Sequence, residues 1–135
     1  MPYFLYVKIM SDTAPISVAI VDDHELFRKA LKYVLAQWGY QVNLQAANGK
    51  KLIEQINDDN VPDICITDVI MPEMNGYETI KQLKQKWPSI KIIVYSMRID
   101  DGLNRIPLLG SDSSVSKQAD ISELHNTLKQ VCQLL

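Results

Sequence analysis

Five polar residues in this chain stand directly behind short, mostly apolar runs. Asp22 and Asp23 follow Val18-Ala19-Ile20-Val21, Asp68 follows Ile64-Cys65-Ile66-Thr67, and Ser96 follows Ile92-Ile93-Val94-Tyr95. Lys117 follows the weaker run from Ser113 to Ser116. Three carboxylates gathered at one place repel, and they do not all ionise without a counter-charge. A hard divalent cation with oxygen ligands supplies that charge. Mg2+ suits the role, because it accepts a few carboxylates and keeps several waters. Lys117 adds a further positive charge, and Ser96 a hydroxyl. Such a set can hold a dianionic phosphoryl group, which is the positioning and charge neutralisation that phosphoryl transfer needs. A carboxylate can itself be the nucleophile and form an acyl phosphate. Taken singly, each residue has a plainer reading. An Asp-Asp pair often makes a turn or a helix cap, and a lone Ser or Lys at a strand end carries little meaning. The joint placement of the set is what points to chemistry.

For these residues to meet, the runs ahead of them must lie side by side in one sheet. Apolar runs such as Ser17 to Val21 suit strands buried on both faces. Between them the spacing turns helical. Leu26, Phe27, Ala30, Leu31, Val34, Leu35 and Trp38 fit one helix, with Gly39 as its stop. Val42, Leu44 and Ala46 alternate as in a half-buried strand, and Asn48 can cap a helix carrying Leu52, Ile53 and Ile56. Tyr77, Ile80, Leu83 and Trp87 fit a helix stopped by Pro88. Residues 100–109 form a weaker helical stretch, and Ser113 to Ser116 is the poorest strand. Asp120 or Ser122 can cap a last helix bearing Ile121, Leu124, Leu128 and Val131. The regular alternation predicts an α/β fold, a five-stranded parallel sheet with five helices on its two faces. In such sheets ligands gather at the carboxyl ends of the strands.

Composition narrows the alternatives. The chain has 135 residues, enough for one domain, and 47% of them are apolar, enough for a packed core. Net charge is −2, with 14 basic and 16 acidic residues, so there is no basic footprint for nucleic acid and no polybasic stretch for a membrane surface. No apolar run reaches the roughly 18 residues of a membrane helix. Cys65 and Cys132 lack partners at metal-ligand spacing and read as ordinary thiols, which suits a reducing cytosol. Residues 1–15 read as a leader, either disordered or forming an extra strand over 3–9. Met10 is an alternative start. Residues 16–135 are the folded domain.

Three segments carry a resemblance to a known family: Val18 to Leu26 with its Asp22-Asp23-His24, Pro62 to Gly76 with Asp68, Met71-Pro72 and Asn75-Gly76, and Val94-Tyr95-Ser96-Met97 followed by Lys117. The chain resembles the receiver domains of two-component response regulators over about residues 16–134. That resemblance implies a flavodoxin-like doubly wound fold and a cytoplasmic signalling domain rather than an enzyme. By it, Asp68 matches the phosphoacceptor, and Asp22 and Asp23 match the acid pair for Mg2+, Asp23 being the more direct ligand. The carbonyl of Ile70 matches the main-chain metal ligand. Ser96 and Lys117 match the hydroxyl and the ammonium that contact the phosphoryl group, while Ile70 and Arg98 sit where the family tunes dephosphorylation. A sensor histidine kinase or phosphotransfer protein is the implied donor, and a homodimer through outer helices the implied assembly.

Asp22-Asp23-His24, with Gln118 after Lys117, resembles the branch that often carries a C-terminal helix-turn-helix. The expectation is therefore a stand-alone receiver or the excised receiver of a transcriptional regulator, with no DNA-reading element in this chain. One departure stands out: Ser114 takes the position usually held by an aromatic that swings inward on activation.

Two other readings compete. A haloacid-dehalogenase-type phosphatase would also use an Asp nucleophile, but it needs an acid two residues later, where this chain has Ile70. A non-phosphorylated adaptor is favoured by Ser114 and opposed by the complete acid, hydroxyl and lysine set. His24 receives no role, and His125 reads as a helix-surface residue.

Overall fold

The computed structural model describes residues 14–69, 76–97 and 110–135. Five strands form a single parallel sheet: β1 (Ser17–Val21), β2 (Gln41–Ala46), β3 (Ile64–Thr67), β4 (Lys91–Ser96) and β5 (Ser113–Ser116). Their order across the sheet is β2-β1-β3-β4-β5, the doubly wound order in which the chain reverses direction between β1 and β3. Four helices lie among the described residues: α1 (Glu25–Gln37), α2 (Gly49–Gln55), α3 (Gly76–Lys86) and α4 (Ile121–Cys132). The helix expected over 100–109, the extra strand expected over 3–9, and Ile70 and Arg98 lie outside the described residues.

Side chains alternate across the sheet and feed two cores. Val21, Ala19, Cys65, Ile92 and Val94 face α2 and α3, where Leu52, Ile80 and Leu83 are buried. Val18, Ile20, Ile64, Ile66, Ile93, Tyr95 and Val115 face α1 and α4, where Leu31, Leu35, Leu124 and Leu128 are buried. Strands covered on both faces need apolar residues at every position, and β3 is buried throughout.

Local signals end the elements where the sequence places them. The Asn48 side chain accepts from the Lys51 N–H at 2.9 Å and caps α2. Of the two candidate caps of α4, Asp120 serves, accepting from the Ser122 N–H at 2.9 Å. Gly39, with φ at 93°, supplies the left-handed residue after α1. The alternation of Val42, Leu44 and Ala46 as one strand face does not hold. The pairing with β1 shifts register between Val18 and Ala19, so that Asn43 is skipped. This bulge turns Val42 towards the α1–α4 core and leaves Leu44 and Ala46 in the other.

Candidate functional site

Strand register brings the polar residues to one edge. Val21 pairs with Thr67 and Ser96 with Ser116, so Asp22, Asp68 and Lys117 each follow the last rung of a ladder. The ladder continues one step into them. The Asp22 N–H donates to the Ala46 carbonyl at 3.1 Å, the Asp68 N–H to Val21 at 3.0 Å, and the Lys117 N–H to Ser96 at 3.0 Å. The backbone beneath each functional side chain is therefore held by the sheet. Gly76 closes in from the next helix: its N–H donates to the Val69 carbonyl at 3.0 Å, and a Cβ there would strike the Val69 Cα and the Asp68 carbonyl oxygen. Only glycine lets α3 begin so close to the strand end.

The centre of the site is Lys117. Its ammonium pairs with Asp22 Oδ2 and, at 2.9 Å, with Asp68 Oδ2. The other oxygen of Asp68 accepts the Val69 N–H at 2.6 Å. Burial by itself would lower the affinity of Lys117 for its proton. The hydrogen bonds and negative charges of Asp22 and Asp68 outweigh that, and its pKa stands above the ordinary lysine value. The face of Phe27 lies 4.2 Å from the same ammonium, a cation–π contact that holds it from the α1 side. Asp22, Asp68 and Ser96 are 2%, 9% and 1% exposed, whereas Asp23 is exposed.

The structure thus brings Asp22, Asp68 and Lys117 into direct contact. Ser96 stands one strand over, buried at the end of β4, with its carbonyl fixing the Lys117 backbone. Three neighbours went unassigned in the sequence. His24 Nδ1 lies 3.3 Å from Asp22 and 3.2 Å from Asp23. Arg28 donates to the Asp22 carbonyl at 2.6 Å. Phe27 covers Lys117. The signal available for all three is their place at the start of α1, just after the acid pair. Among the described residues, Asp22, Asp23 and His24 bring one ligand atom each within 4.8 Å of one another, a spacing suited to a metal ion.

The model of the response regulator receiver domain matches residues 18–129. The chain is 31% identical to the transcriptional regulatory protein DegU of Brevibacillus brevis over 120 residues, 87% of this chain and 50% of DegU. It is 42% identical to the chemotaxis protein CheY of Thermotoga maritima over 79 residues, 58% of this chain and 65% of CheY. The fold superposes on RcsB from Salmonella enterica serovar Typhimurium, bound to a promoter in the presence of phosphomimetic BeF3−. The TM-score is 0.79 at 26% identity, covering 89% of this chain and 61% of that one. The chain therefore spans about half to two thirds of the length of these relatives. Among the described residues no helix is long and apolar enough to cross a membrane. With the strand order, the acid–lysine edge and the matched span in agreement, the chain belongs to the response regulator receiver domain family.

Proposed function

We propose that this chain is a phosphorylation switch that accepts a phosphoryl group on Asp68. The observation that carries the reading is the grip of Lys117 on both Asp68 and Asp22 at the carboxyl edge of the sheet. A nucleophilic oxygen of Asp68 attacks the phosphorus of a phosphohistidine on a sensor kinase or phosphotransfer protein. An O–P bond forms, the P–N bond breaks, and the imidazole leaves after taking a proton. Lys117, already beside the accepting oxygen, neutralises charge on the incoming group. Ser96, from the end of β4, offers its hydroxyl to a phosphoryl oxygen.

The donor set fits a hard divalent cation: buried Asp22 and Asp68, which share a single lysine, and exposed Asp23 next to them. Asp22, Asp23, Asp68 and the Ile70 carbonyl would hold Mg2+, which when bound screens the charge between nucleophile and phosphoryl group. The added charge on Asp68 then biases a two-state surface.

Residues 16–135 constitute the switch, acting in the cytoplasm and able to pair with a second copy. It acts either as a stand-alone receiver or as the receiver of a transcriptional regulator, the second reading being supported by the likeness to DegU, a transcriptional regulatory protein. A small acyl phosphate donor tests the reading: Mg2+-dependent labelling is expected, and it is lost in Asp68→Ala. Labelling that survives that substitution would overturn it.

A further inference from the structure

Lys117 follows a strand that gives its side chain little support. Strand β5 is short and mostly serine, and it fixes the Lys117 backbone only, through the Ser96 carbonyl at 3.0 Å. The four-carbon stem beyond is flexible, so the place of the ammonium is set by what surrounds it. Asp22 Oδ2 and Asp68 Oδ2 do part of this. A further wall is the ring of Phe27. The ammonium stands over that ring, 4.2 Å from its centroid, and the lysine side chain is only 10% exposed.

The ring is itself fixed. Phe27 opens the inward stripe of α1 that continues with buried Leu31 and Leu35. Its centroid lies 5.9 Å from that of Tyr95, in a tilted pair, and Tyr95 is buried near the end of β4. Lys86 also meets a ring, 5.7 Å from Trp87, but these two are chain neighbours and adjacency alone brings them together. Lys117 and Phe27 are far apart in the sequence, and only the fold makes them meet.

A ring face suits this place better than another acid. A further carboxylate would compete with an incoming phosphoryl group for the same ammonium. The π face attracts the cation and covers its flank, yet holds it less firmly than a charge-assisted hydrogen bond. We propose that Phe27 is a positioning residue for phosphoryl uptake, its ring seating the Lys117 ammonium between Asp22 and Asp68 where the phosphoryl oxygens arrive. The proposal rests on the reading of Asp68 as the phosphoacceptor and extends it to the residue that seats its lysine.

The test places mono-, di- and trifluorophenylalanine at position 27 of the whole chain and follows Mg2+-dependent labelling by a small acyl phosphate. Fluorine withdraws the negative charge of the ring face and hardly changes its size, so packing is kept while the attraction for the cation falls. The labelling rate is expected to drop in steps with each fluorine, to about one fifth with three. Phe27→Leu, apolar but without a ring, should label about as slowly as the trifluoro chain. By NMR, the ring current should shield the Lys117 ε-methylene protons, and the shielding should vanish in Phe27→Leu. Equal rates across the fluorinated series, in a chain that labels, overturn the positioning role and leave Asp68 as phosphoacceptor. Unshielded Lys117 protons in the unsubstituted chain overturn the positioning role as well. An unsubstituted chain that does not label removes the phosphoacceptor reading, and the positioning role with it.

Discussion

The two ends of the sheet both hold partly buried carboxylates, and they treat them differently. At the amino end, Asp63 accepts the Ser17 N–H at 2.9 Å and its hydroxyl at 3.2 Å, joining β1 to the start of β3. Asp112 accepts the Ile92 N–H at 2.7 Å and the Lys84 ammonium at 2.9 Å, joining α3 and β4 to the start of β5. Each of these acids has its own donors, and Asp112 has its own cation. At the carboxyl end, Asp22 and Asp68 share Lys117, and Asp23 stands beside them with His24. At the amino end each carboxylate is closed off by donors of the elements it joins. At the carboxyl end three acids gather side by side, and two of them share a single lysine. A carboxylate with its own donors serves the fold, whereas acids that share one cation are a frequent feature of functional sites.

Substitutions at the two ends can break this comparison. The largest effect belongs to Lys117→Met, which leaves two mostly buried acids facing one another. Its unfolding free energy in urea should fall by about 3 kcal/mol, and labelling by a small acyl phosphate should fall with it. Next is Asp112→Ala, which strips Lys84 and the Ile92 N–H of their acceptor and should cost about 2 kcal/mol in the same melts. Because Asp112 lies at the far end of the strands, its labelling should stay at the level of the unsubstituted chain.

A smaller effect has the opposite sign. Asp68→Asn in a chelator removes one of the acids competing for Lys117 and should stabilise by about 1 kcal/mol, while the same amide at 112 should destabilise. Loss of stability in both would show the two ends to be alike.

The smallest effect is in pH. The pKa of Lys117 is raised in the folded chain, so its contribution is complete below the ordinary lysine value. It is lost as pH rises through the higher folded value. The stability gap between the unsubstituted chain and Lys117→Met should therefore stay constant to about pH 10 and narrow only above it. Thermal melts across that range measure it.

Much of this was legible in the residues. Strands β1, β3 and β4 announce themselves because burial on both faces demands unbroken apolar runs, and the acids behind them mark the functional edge. Strand β5 is written in serine, and its order comes from pairing with β4 rather than from its own side chains. That pairing is what delivers Lys117 to Asp22 and Asp68, so the lysine's position depends on a tertiary contact. The bulge opposite Asn43 was hidden, because alternation reads as one face until a partner strand shows the skipped residue. The turn of His24 towards the acid pair and the seat of Lys117 on Phe27 are side-chain directions, which spacing along the chain does not encode. Ser114 is half-exposed on β5 and pairs with Val94.

The central claim is that the carboxyl end of the sheet makes Asp68 a metal-assisted nucleophile. Treating the chain with a small acyl phosphate and mapping the added mass by peptide sequencing tests it most directly. A single phosphoryl group on Asp68, formed with Mg2+ and absent with a chelator, is the predicted result. A phosphoryl group on any other side chain, or one that forms equally well without a divalent cation, would contradict it.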